Sequence, residues 1–160
     1  MVKVHITPED ADLRVERAVQ LFKEGYNCSQ SVVGAFADLY GFTQEQALLM
    51  SASFGGGIGR MRQTCGAACG MFVLAGLQSG TTIGSDREGK SRNYAMVQQL
   101  AESFKQINGS IICAELLGLK PNAEITAQAS ERTDSYYKKR PCSEMVRTAA
   151  RLFANAISQD

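Results

Sequence analysis

The sequence predicts an all-α fold, a single-domain bundle of about six or seven helices over residues 1–160. Three observations carry that expectation. Apolar residues recur at helical spacing in several segments, and capping residues precede those segments while glycines follow them. No stretch has the apolar–polar alternation of a half-buried strand.

Thr7-Pro8-Glu9-Asp10 reads as a helix start: a capping hydroxyl, a proline at the first helical position, and acids at the positive dipole end. Leu13, Ala18, Leu21 and Phe22 supply its apolar stripe, and Gly25 ends it. Asn27 caps a second helix with Val32, Val33, Phe36 and Leu39 on its apolar face and Gly41 as its stop. Thr43 and Gln46 form a capping box for a third, which runs through Ala47, Leu48, Leu49 and Met50 towards Phe54. Gly55-Gly56-Gly57-Ile58-Gly59-Arg60 cannot sustain a helix cheaply, so it predicts a loop that bends sharply or approaches something closely.

Cys65 to Leu77 is apolar and rich in small residues, and reads as a buried helix with Gly66 and Gly70 on one face, open to close helix packing. Ser85-Asp86-Arg87-Glu88 predicts a capping box for a long helix that turns Tyr94, Val97, Leu100, Ala101, Phe104 and Ile107 inward and stops at Asn108-Gly109. Ser110 caps a short helix, Ile111 to Leu117, closed by Gly118. In residues 119–140, Pro121 breaks the chain and Ala123 to Ala129 have the composition of a helical turn or two. The last helix starts near Pro141 and runs through Met145, Val146, Ala149, Leu152, Phe153 and Ile157.

Composition bounds the function. The chain is 44% hydrophobic and 21% charged, as in ordinary soluble globular proteins. With 17 basic and 16 acidic residues, it has no charge bias towards nucleic acid or an anionic membrane. Lys138-Lys139-Arg140 reads as a solvated loop. There is no apolar run near the ~20 residues of a membrane helix, and Met1 to Pro8 lacks the pattern of a secretory leader. The expected location is therefore the cytoplasm, where free thiols and metal sites outnumber structural disulfides. A chain of this size buries roughly 70% of its unfolded surface, so its cysteines are not needed as staples.

Those cysteines are the compositional oddity: Cys28, Cys65, Cys69, Cys113 and Cys142. Their spacing matches no zinc ribbon or finger, and His5, the only histidine, is remote from all of them in sequence. Cys28 follows the Asn27 cap, Cys65 opens the buried helix, Cys113 follows the Ser110 cap, and Cys142 follows Pro141. All four thus fall in helix first turns, where unpaired N–H groups and the dipole favour a thiolate and predict a lowered pKa. Arg60 and Arg62 add positive charge ahead of Cys65. Cys69, one turn after Cys65, reads as a small buried residue or an accessory resolving thiol.

Tyr26-Asn27-Cys28-Ser29-Gln30-Ser31-Val32, Phe54 to Arg60, Cys65-Gly66-Ala67-Ala68-Cys69-Gly70, Cys113-Ala114-Glu115-Leu116-Leu117-Gly118 and Cys142 occur in that order. The chain thereby resembles the redox-active family named for its C-GCAxxG-C-C pattern, over roughly residues 15 to 157. The resemblance implies that Cys28, Cys65, Cys113 and Cys142 are the functional set and that Cys69, at a variable position, is extra to it. The family is also distantly similar to the cysteine-bearing part of split-Soret cytochromes, which implies an iron–sulfur site. No Cys-x-x-Cys-His is present, so covalent haem is not expected.

Three readings follow. The first is a redox protein holding an iron–sulfur-type centre through Cys28, Cys65, Cys113 and Cys142, with zinc as an alternative metal. Gly55, Gly56, Gly57, Arg60 and Gly66 would then line the cofactor. The second is a metal-free thiol–disulfide oxidoreductase in which Cys65 attacks and Cys28, Cys69 or another cysteine resolves. The third is a helical binding module with incidental cysteines. The expected partner is a redox protein, with no nucleic acid and no membrane, and the small-residue faces suit a homodimer.

Overall fold

The computed structural model describes residues 3–158, and in it the local capping signals decide where most helices begin. Helix α1 spans Pro8–Lys23; Thr7 Oγ1 accepts from the Asp10 N–H at 3.2 Å, and Gly25 follows with φ +105°. Its buried face is Ala11, Val15, Ala18, Val19, Leu21 and Phe22, whereas Leu13, expected in the stripe, is 70% exposed. Helix α2, Cys28–Gly34, begins with a capping box between Asn27 and Gln30. The single helix expected up to Gly41 is broken: α2 stops at Gly34 and a 3₁₀ turn covers Ala37–Tyr40. The break turns Phe36 fully inward, edge-on to Phe153 at 5.2 Å, and burial of that ring outweighs helical continuity.

The Thr43–Gln46 capping box opens α3, Gln44–Ser51, and a 3₁₀ turn carries the chain through Phe54. Helix α4, Gly66–Ser79, is the central element and packs against α2 as well as the two long helices that follow. A Cβ on Gly70 would lie 3.0 Å from the Ser29 carbonyl oxygen and the Val32 Cβ, so α4 and α2 are nearly in backbone contact. Helix α5, Arg87–Asn108, is capped by Asp86, which accepts from the Gly89 N–H at 2.8 Å, and not by Ser85 with Glu88. Leu100 and Phe104 are buried on it, but Tyr94 and Ile107 are exposed, because α5 covers only one edge of the bundle.

Helix α6 is a single turn, Cys113–Leu116; Ser110 does not cap it in the expected way but accepts from the Ile112 N–H and binds the Glu115 carboxylate. Ala123 to Ala129 form no helix; instead Asp134–Lys139 forms α7, capped by Thr133. Helix α8, Cys142–Ile157, lies along α1 and closes the core with Val146, Ala149, Ala150, Phe153 and Ile157. The Ile6 N–H donates to the Ile157 carbonyl at 3.0 Å, which ties the first described residues to the last helix. The described residues thus carry eight α-helices, one or two more than expected, and no strand. None of these helices is long and apolar enough to cross a membrane.

Candidate functional site

Each of the four motif cysteines stands at a helix entrance. Cys28, Cys113 and Cys142 are the first residues of α2, α6 and α8, and Cys65 is the residue that caps α4. The entrances of α4 and α6 are bound together by their backbones: Cys65 N–H donates to Ile111 O at 2.7 Å, and Cys113 N–H to Gln63 O at 2.6 Å. The result is one narrow cavity of about 60 Å³ walled by Cys28, Cys65, Cys113 and Cys142. Cys69 is not part of that wall; it is buried within α4 and its thiol faces the Thr64 carbonyl at 3.7 Å.

Glycine makes the convergence possible. A Cβ on Gly57 would fall 2.6 Å from the Cys113 Cβ, and one on Gly66 would fall 2.8 Å from the Phe54 carbonyl and 3.3 Å from the Cys28 Cβ. Of the glycines expected to line a cofactor, Gly56, Gly57 and Gly66 wall the thiol cavity, whereas Gly55 and Arg60 line a neighbouring pocket.

The loop between α3 and α4 is a left-handed turn. Gly56, Gly57, Ile58, Gly59 and Arg60 all have φ between +57° and +73°, and Arg62 has +62°. Glycine adopts this region freely, but each non-glycine residue costs about 1–2 kcal/mol there. The glycine count predicted a sharp loop and gave no sign that Ile58, Arg60 and Arg62 would share the conformation. The turn is held by Arg60 N–H to Gly55 O, Arg62 N–H to Gly56 O and Gln63 N–H to Gly57 O, at 2.9–3.2 Å. It delivers the Arg62 guanidinium to the Cys113 sulfur at 3.7 Å and the Arg60 guanidinium to the Ser130 hydroxyl at 3.2 Å.

Electrostatics divide the four thiols. The expected acidification occurs at Cys142 alone, which is brought down to about 7. The leading cause is the Cys28 S–H, a hydrogen-bond donor to the Cys142 thiolate; burial opposes it, and Arg140, Arg132 and Arg62 assist. Cys28 correspondingly rises well above the usual thiol range, because it surrenders its proton only after Cys142 has become an anion beside it, and it is buried as well. Burial pushes Cys65 up to about 12, even though the Ala68 and Ala67 N–H groups point at it, and pushes Cys69 up to about 11. Cys113 is also raised by burial, against the pull of Arg62. A helix first turn therefore did not suffice to make Cys65, Cys28 or Cys113 acidic: desolvation outweighs it at Cys65, outweighs even Arg62 at Cys113, and joins the hydrogen bond to Cys142 at Cys28.

Two site residues were not foreseen from sequence. Arg132 reaches back to the end of α1 and donates to Phe22 O and Tyr26 O, both at 2.9 Å. Its guanidinium stacks over the rings of Phe22 at 4.4 Å and Tyr136 at 4.9 Å. Arg140 also lies over the Tyr136 ring, at 5.0 Å, and, unlike Lys138 and Lys139, is not exposed, which corrects the solvated-loop reading of that cluster. Both arginines wall the thiol cavity together with Arg62, and no Asp or Glu does. Arg132 precedes α7 and Arg140 follows it in extended backbone, so no helical spacing in the sequence announces that the two meet at Tyr136.

The four thiols share a wall, but among the described residues no three His, Cys, Asp or Glu side chains gather closely enough to hold a metal ion. A protein from Archaeoglobus fulgidus, described as uncharacterized, is 27% identical over 158 residues, covering 93% of this chain and 96% of its own length. No solved structure matches the chain. Residues 26–156, from Tyr26 into the last turn of α8, match the family described as "Putative redox-active protein (C_GCAxxG_C_C)", and the chain belongs to that family.

Proposed function

We propose that the chain is a redox protein whose electrons pass through Cys142 and Cys28 as a dithiol–disulfide couple. One observation carries the reading: Cys28 and Cys142 wall the same cavity, and the Cys28 S–H, which keeps its proton, donates to the Cys142 sulfur, whose ionisation is brought down to about 7. That is the division of labour a two-thiol exchange needs. The Cys142 thiolate attacks one sulfur of an incoming disulfide, forming a mixed disulfide and expelling the other half as a thiolate. Cys28 then loses its proton, attacks the Cys142 sulfur and expels the second half. Two protein thiols are oxidised to a disulfide and one external disulfide is reduced to two thiols. This moves the attacking role from Cys65, whose thiol is about 12 and buried, to Cys142.

Mass mapping across a series of defined thiol–disulfide buffers tests it. The expected result is a Cys28–Cys142 disulfide that forms and reverses at one midpoint, with Cys65 and Cys69 remaining as thiols. Failure of that disulfide to form at any poise would remove the reading.

A second reading is favoured by the same wall. Four thiols, three arginines and no carboxylate suit an anionic iron–sulfur centre in donor chemistry, with Cys28, Cys65, Cys113 and Cys142 as its ligands. Such a group would supply one-electron transfer. A single zinc ion fits less well, since it needs its sulfurs drawn around one point at about 2.3 Å, and no such group of side chains exists among the described residues. Iron and acid-labile sulfide assays on anaerobically purified protein separate the two readings.

A further inference from the structure

Beside the thiol cavity, and sharing its walls at Asn27, Gly56, Arg62, Arg132, Tyr136 and Arg140, lies a wider pocket of about 420 Å³. That volume falls in the range of small-molecule sites. Arg60, Arg62, Arg132 and Arg140 all line it, and no Asp or Glu does. The chain as a whole carries a net charge of only +1, so this concentration of cations is local.

Arg14, Arg92, Arg147 and Arg151 each meet a carboxylate; the four pocket arginines, like the scattered Arg17 and Arg87, form no ion pair among the described residues, but only in the pocket are such arginines gathered together. Like charges brought together destabilise a fold, and Arg60 registers it: burial and the fields of Arg62 and Arg140 make its proton easier to lose. Two of the four, Arg60 and Arg62, are also held at positive φ by the left-handed turn. Strain of this kind persists where the surroundings demand a particular side-chain placement. Guanidinium groups are the side chains best shaped to grip carboxylate or phosphate oxygens in pairs.

We infer that this pocket recognises the anionic end of the molecule that exchanges electrons with the thiols, and that the preferred substrate is a small disulfide carrying carboxylate groups. The inference rests on the dithiol–disulfide reading for its chemistry and on the four unpaired arginines for its charge preference. Arg60 and Arg62 hold the carboxylate while the sulfur–sulfur bond enters the adjoining cavity. Cys142 Sγ bonds to one substrate sulfur and the other leaves as a thiolate. The released thiolate bears a carboxylate too, and takes its proton from solvent. Cys28 then closes the protein disulfide and expels the second thiolate, so one substrate disulfide accepts the two electrons of two protein thiols.

The test uses the full, reduced chain and three probes: the dianion 3,3′-dithiodipropionate, neutral bis(2-hydroxyethyl) disulfide, and the dication cystamine. Formation of the Cys28–Cys142 disulfide is followed by quenched mass mapping at low ionic strength. The dianion should react at least about tenfold faster than the neutral probe, and the dication more slowly. Inorganic sulfate should slow the dianion and spare the neutral probe. Arg60→Gln should bring the dianion-to-neutral rate ratio down towards one, with circular dichroism reporting that the variant is folded. A dianion no faster than the neutral probe would overturn the inference. If even the neutral probe fails to form the disulfide, the exchange reading falls instead. Sulfate binding measured by calorimetry then judges the pocket alone: binding weakened in Arg60→Gln supports an anion site, and no binding removes it.

Discussion

Arg62 donates to the Cys113 sulfur across 3.7 Å, and it does so from a backbone at φ +62°. Glycine at this position would relieve the backbone but would lose the one cation in contact with Cys113. Burial already raises that thiol, and Arg62 opposes the rise. Arg62→Gln should therefore remove the main opposition to burial, leaving only the weaker field of Arg140, and move the Cys113 ionisation to higher pH. Thiolate absorbance followed against pH, in a background with the other cysteines mapped by alkylation, measures the shift. An unchanged Cys113 midpoint would contradict the pairing.

Cys142 should be the first thiol to react as pH rises. Its alkylation rate by iodoacetamide should climb through a midpoint of about 7, while Cys65 and Cys69 stay silent until far higher pH. Cys28→Ala removes the leading stabiliser of the Cys142 thiolate, so the midpoint should move upward in that variant. A midpoint that stays near its wild-type value would assign the acidity to the arginines alone.

Thiol ionisation also sets the pH profile of stability in the reduced, metal-free chain. Cys142 ionises at about 7 in the fold against 9.0 for an ordinary thiol, so its contribution is present above pH 9.0 and is lost as pH falls towards 7. Cys65 and Cys69 work in reverse. Raised to about 12 and about 11 from 9.0, they contribute below pH 9.0, and that contribution is lost as pH rises towards those values. The midpoint of thermal unfolding should fall above pH 9, and the fall should be shallower in Cys69→Ala.

Two substitutions test the packing that supports the site. Phe153→Ala removes the ring that stacks edge-on against Phe36 in the centre of the core. It should cost about 3–5 kcal/mol, a drop in Tm of roughly 10 °C for a chain of this size. Gly57→Ala should cost about 2–4 kcal/mol through its positive φ and the 2.6 Å clash with the Cys113 Cβ. Only Gly57→Ala should also disturb Cys113 reactivity at temperatures where both variants remain folded.

Arg132→Ala should release the segment that carries α7. That segment is tied to the end of α1 through the two carbonyls Arg132 binds and through the Tyr137 hydroxyl, which donates to Lys23 O at 3.2 Å. Limited proteolysis should cut the variant between residues 119 and 140 well before the wild type, with the core fragment staying intact.

The helix starts were largely legible because they depend on local chemistry. Thr7, Asn27 and Thr43 cap the helices they were expected to cap, and Asn27 places Cys28; Cys65, Cys113 and Cys142 also stand at helix entrances, but at starts that no side chain caps. Helix interiors were less legible. Phe36 breaks α2 to stack on Phe153, a residue far along the chain, and no local propensity announces that contact. Acidity was the least legible property. A first-turn position is a local feature, but the arginines that help to separate Cys142 from Cys65 arrive from α7 and its flanks, which the composition of residues 119–140 described poorly.

The pairing of α1 with α8 has a consequence for how the chain is made. Helix α1 is covered by α8, so its apolar face waits until α8 has been synthesised before it is buried. The thiols follow the same order. Cys28, Cys65, Cys69 and Cys113 are all synthesised before Cys142, the partner that Cys28 meets in the finished fold. During translation the nascent chain therefore holds four thiols and lacks the one that sorts them. Oxidation at that stage would pair Cys28 with Cys65, Cys69 or Cys113, and not with Cys142.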